Sequence, residues 1–107
     1  MARIARSALP LYQTRGRPIA WRIRMSNPDG SALDLTGCSA SVTLHARGVD
    51  QPLSVGPLGP DGVVEVSGAN ALSSALSAGN VNELRLALTD SQGTPTDYVW
   101  PVIGEDP

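Results

Sequence analysis

The chain has no lysine and no phenylalanine, and only one cysteine and one histidine among its 107 residues. A single thiol, Cys38, makes no internal disulfide and holds no metal on its own. Only four large aromatic side chains are present, Tyr12, Trp21, Tyr98 and Trp100, so the core must rest mainly on Leu, Val, Ile and Ala. No apolar run approaches the ~18 residues of a membrane span. No apolar stretch follows the first arginines, so no secretory leader is expected. One domain is expected at this length, with roughly two-thirds of the unfolded surface buried.

What is present is unevenly placed. All eight bases are Arg, against ten acids, for a net charge of −2. Six of them (Arg3, Arg6, Arg15, Arg17, Arg22, Arg24) precede the first acid, Asp29. The first 24 residues therefore carry +6 and the other 83 carry −8, the sum of two Arg and ten acids. Such asymmetry points to a basic arm with a partner.

Residues 1–17 show no sustained period of 2 or 3.6, and Pro10 and Gly16 interrupt regular structure. They read as an extended arm ahead of a folded body at 18–107. From Pro18 the chain alternates, with Ile19, Trp21, Ile23 and Met25 on one face and Ala20, Arg22 and Arg24 on the other. Asn27-Pro28-Asp29-Gly30 reads as a tight turn. A short strand is expected at Leu33 and Leu35. The next runs over 38–46, with Cys38, Ala40, Val42, Leu44 and Ala46 inward. Further strands are expected at Leu53/Val55 and at Val63, Val64 and Val66. The Ala/Leu-rich run 69–78 predicts one or two helical turns, closed by Gly79. The strand 81–89 turns Leu84, Leu86 and Leu88 inward. The strand 96–103 puts Tyr98, Trp100 and Val102 on one face, and its Pro101 marks an edge or a bulge. The pattern predicts an all-β fold: a small antiparallel immunoglobulin-like sandwich of about seven strands with one short helical connector and an extended N-terminal arm.

Little of this suits catalysis. His45 lies on a polar strand face with no acid beside it. Cys38 lies on the opposite, apolar face, so a Cys–His pair is not expected. Asp29, Asp34, Asp61 and Asp90 each stand at a Gly-containing turn, where Asp serves the backbone. No calcium-loop or phosphate-loop pattern occurs. No enzyme activity, cofactor, metal or small-molecule substrate is expected. A nucleic-acid site would join Arg to an aromatic platform. Trp21, however, faces away from Arg22 and Arg24, and the acidic body repels phosphate. Protein assembly fits better: a basic, partly apolar arm (Arg3, Ile4, Arg6, Leu9, Leu11, Tyr12, Arg15, Arg17) meets the acidic body of another copy or another protein.

The run Asn27-Pro28-Asp29-Gly30-Ser31-Ala32-Leu33-Asp34-Leu35-Thr36-Gly37, between two alternating strands, resembles the opening of immunoglobulin-like modules in tailed-bacteriophage baseplate and tail-fibre-attachment proteins. Leu76-Ser77-Ala78-Gly79 and Leu88-Thr89-Asp90-Ser91-Gln92-Gly93 extend the resemblance over most of 15–104. Asn80-Val81-Asn82 departs from it, since an aromatic commonly follows that Gly. The resemblance implies a non-enzymatic structural protein of the virion, made in the bacterial cytoplasm and assembling with other virion proteins, commonly as a homo-oligomer. The chain ends after the module, which favours an adaptor over a receptor-binding role. A capsid decoration or cement subunit is the alternative. A carbohydrate-binding adhesive module is a third reading, and it needs Tyr98 and Trp100 exposed.

Overall fold

The computed structural model describes residues 3–6, 10–74, 76 and 79–106. Eight strands and one helix follow in order among them: β1 (Arg3–Arg6), β2 (Leu11–Thr14), β3 (Ile19–Arg24), β4 (Ser39–Ala46), β5 (Val49–Val55), β6 (Val63–Gly68), α1 (Asn70–Ser74), β7 (Gly79–Thr89) and β8 (Pro95–Glu105). One continuous hydrogen-bonded path runs β1-β8-β7-β4-β5-β6-β3, and β2 also pairs with β8.

The path folds into two layers at β5. Its first part, Val49 to Leu53, pairs with β4. Its last two residues, Ser54 and Val55, pair with β6. One strand thus belongs to both sheets and makes the corner of a sandwich. The turn before it has two residues, Arg47 at φ 53° and Gly48 at φ 75°. Positive φ at both central positions is the type I′ geometry, whose twist matches that of the flanking strands.

Alternation produced the core as expected. Val42 stands opposite Leu86 and Leu44 opposite Leu84 across β4 and β7. Leu84 and Leu86 in turn oppose Trp100 and Tyr98 of β8. From the second sheet Ile19, Ile23, Val64 and Val66 close the other side, all buried. Each fully buried Leu, Ile or Val contributes about 1.5–3 kcal/mol over its exposed state. Cys38 is half-buried and packed on this core as a small apolar group.

Two expectations are corrected. Leu33 and Leu35 form no strand, because their N–H groups reach two different partners, Met25 O and Gly59 O, so no ladder can propagate. Only an isolated bridge, Ser26 to Ala32, marks that region. The one or two helical turns expected within 69–78 are α1, and beyond it Leu76 is fully buried. Gly79 does not close a helix but opens β7, opposite Gly104.

The sandwich is antiparallel except at its start. Both β1 and β2 run parallel to β8. A parallel pair cannot be joined by a hairpin. Here the whole body of the chain is the crossover, so the first and last strands become neighbours.

Candidate interaction edge

Two stretches of the arm expected over 1–17 are strands of the chain's own sheet. Backbone pairing places Arg3, Ile4 and Arg6 in β1, from Arg3 opposite Thr96 to Arg6 opposite Val99. Leu9 lies outside the described residues. Pairing resumes at Leu11 opposite Val102 and ends at Thr14 opposite Glu105. Between the two pairings the N-terminal side advances from 6 to 11 while β8 advances only from 99 to 102. Pro101, with no N–H to give, sits in that gap. The proline expected at an edge or bulge thus marks where the N-terminal ladder breaks.

The residues beyond Pro10 divide between the core and solvent. Leu11 is half-buried against the core. Gln13 is buried, and its amide donates to the carbonyls of Thr14 at 3.0 Å and Arg17 at 3.1 Å. Tyr12 faces outward, 58% exposed, while its carbonyl accepts from Trp21 Nε1 at 3.4 Å. Within the chain the Arg15 guanidinium pairs with Asp106, and its backbone N–H donates to Glu105 O at 2.8 Å. Arg17 is exposed at its side chain but anchored by its carbonyl, which accepts from Ser73 Oγ at 2.5 Å. The charge asymmetry is therefore met in part within the chain, by the acidic end of β8.

The four turn acids act as expected. Asp29 accepts from Ser31, Asp34 from the Thr36 amide, Asp61 from the Val63 amide, and Asp90 from the Gln92 and Thr94 amides. The Ser31 hydroxyl and amide hold the Asp29 carboxyl below its ordinary pKa, and those of Thr36 do the same for Asp34.

One pairing was missed. His45 does have an acid beside it, because the two-residue turn brings Asp50 directly opposite, with Nδ1 and Oδ1 2.5 Å apart. Glu83 stands on its other side, on β7, and pairs with Arg85 at 3.3 Å. Beside this row lies a shallow groove of about 390 Å³ on the outer face, lined by Ser41, Thr43, Asp50, Arg85, Asp97 and Val99. An acid that orients a His is one part of a nucleophilic site. Cys38 lies on the core side of the sheet, so the two do not converge. Among the described residues no group of three or more His, Cys, Asp or Glu is placed to hold a metal. No helix among them is long and apolar enough to cross a membrane.

Tyr98 and Trp100 stack on each other, centroids 6.1 Å apart, half-buried against the core.

Topology and layering define the chain as an immunoglobulin-like β-sandwich. No family model matches it, and no curated protein does. A solved structure described as the Lin-41 filamin domain is similar over 85% of this chain and 81% of that one, at 17% identity and a TM-score of 0.43.

Proposed function

We propose that this chain is a non-enzymatic structural module of a tailed-phage virion, associated with the tail or baseplate. In this reading it joins neighbouring virion proteins through the edge formed by its first two strands. The observation that carries the reading is the placement of β1 and β2 as the outermost strands of the first sheet, with Tyr12 largely exposed there. An outer strand offers unpaired backbone groups, and an exposed aromatic supplies apolar area for a protein contact. The Asn27–Gly37 resemblance supplies the virion context. A head-decoration role uses the same edge in the same way, and separating heads from tails before mass spectrometry distinguishes the two.

The experiment is incorporation into particles. The chain should be found in purified virions, and both a version lacking residues 1–10 and Tyr12→Glu should remain folded but be lost from them. Normal incorporation of both altered chains overturns the role of this edge. Absence of the intact chain from virions overturns the virion reading.

A further inference from the structure

The far end of the strand path carries a second, separate edge. β3 is the last strand of the second sheet, paired only with β6 among the described strands. Met25 N–H donates to Gly62 O at 2.7 Å, in register with the β3–β6 pairing that sets Arg24 opposite Val63. In an antiparallel pair, residues bonded to the partner alternate with residues that are not. Counting back from Met25, Ile23, Trp21 and Ile19 face β6. The N–H and C=O groups of Ala20, Arg22 and Arg24 therefore point away from the sheet. The side chains of the same three residues are exposed.

This edge lacks most of the usual guards. Sheet edges are commonly blunted by proline, by bulges or by very short strands. The free edge of β5 has Pro52, but β3 has six residues in regular register with no proline and no bulge. What β3 does carry is charge. Arg22 is 72% exposed, with Glu65 at 4.0 Å as an ion-pair partner, and Arg24 stands opposite the apolar Val63. A second copy is a poor occupant. Antiparallel pairing of two β3 edges would set Arg22 and Arg24 of one copy against those of the other, and like charges directly opposite destabilise a ladder.

We infer that β3 accepts an extended acidic segment of a partner protein as an added strand. Backbone bonds to Ala20, Arg22 and Arg24 would hold it, and carboxylates at alternate positions would meet the two guanidiniums. This is strand addition at a sheet edge, with affinity from the main chain and selectivity from alternate side chains. It does not depend on the β1–β2 edge or on the virion reading.

The test uses the full chain and a fluorescent peptide alternating Glu and Val, beside a counterpart with Lys for Glu. The acidic peptide should raise its anisotropy on binding, bind at least tenfold more tightly than the basic one, and weaken as salt is added. Amide hydrogen exchange at Ala20, Arg22 and Arg24 should slow in the complex. Arg22→Glu with Arg24→Glu should weaken binding at least tenfold. The exchange measurement on the unaltered chain stands even where that variant folds poorly. No binding at millimolar peptide, or protection at other amides only, overturns the proposal. So does a variant with both arginines changed to Thr that self-associates while its peptide binding is unchanged, since the arginines would then serve only to keep copies apart.

Discussion

Ser73 Oγ lies 2.5 Å from the carbonyl oxygen of Arg17 and accepts the Gly16 N–H at 3.1 Å. Ser73 is fully buried at the end of the short helix. One hydroxyl thus fastens the segment that leads from β2 into β3. Ser73→Ala removes the side-chain partner of a part-buried N–H and a part-buried C=O, and losing such hydrogen bonds costs about 0.5–1.5 kcal/mol. Thermal unfolding should show a loss in that range, with the midpoint falling by about 4–8 °C per kcal/mol for a domain near this size. Hydrogen exchange at Gly16 should speed up more than exchange in β4 or β7.

Gly62 sits where no side chain fits. Its φ is +72°, and an added Cβ would lie 2.5 Å from Met25 O and 3.0 Å from Leu33 N. Both neighbours are backbone, so neither can swing aside. Left-handed geometry alone costs a non-glycine residue about 1–2 kcal/mol. Gly62→Ala should cost at least about 2 kcal/mol beyond that, because the Met25–Gly62 bond must shift as well. Gly30→Ala is the control: φ is +90° but nothing lies within 4 Å. Denaturant titration of both variants should separate the clash from the backbone term.

These contacts mark how far the sequence was legible. Strands β3, β4, β6, β7 and β8 could be read from period-2 alternation, since Val42, Leu44, Leu84 and Leu86 do face inward. β2 was hidden because Gln13, a polar residue, takes a buried position, its amide satisfied by local carbonyls that no periodicity reveals. Leu33 and Leu35 mimicked a strand because both are drawn toward the core, but from a loop. The His45–Asp50 pair was missed because its turn carries Arg47, not the Asn or Gly that usually signals positive φ. Of the residues expected in the free arm, Leu11 and Arg15 are committed within the fold, while Tyr12 is exposed.

The Arg47 turn offers a stabilising change. Arg47 holds φ 53° without the local hydrogen bonding that lets Asn tolerate this region. Asn-Gly is the preferred pair for a type I′ turn. Arg47→Asn should raise stability by about 0.5–1 kcal/mol, with the folded-state spectrum unchanged. Chemical denaturation measures the gain, and an unchanged midpoint would mean that the exposed Arg relaxes its strain by another route.

The Asp34–Thr36 contact makes part of the stability depend on pH, with a definite sign. Asp34 accepts the Thr36 amide at 3.0 Å, and its carboxyl is held below the ordinary value. A carboxyl with a lowered pKa in the folded state binds protons less readily there than in the unfolded chain. Its contribution is therefore full above the ordinary carboxyl pKa of about 4 and is lost as pH falls through the lower, folded value. Asp29, bonded to Ser31, acts in the same direction. Asp34→Asn keeps an acceptor for Thr36 but removes the titrating proton. Melting temperatures from pH 7 to pH 2.5 should fall less steeply for Asp34→Asn than for the native chain, and less steeply still with Asp29→Asn added. Parallel curves would place the acid sensitivity in the other carboxylates and leave the Asp34 turn with no part in it.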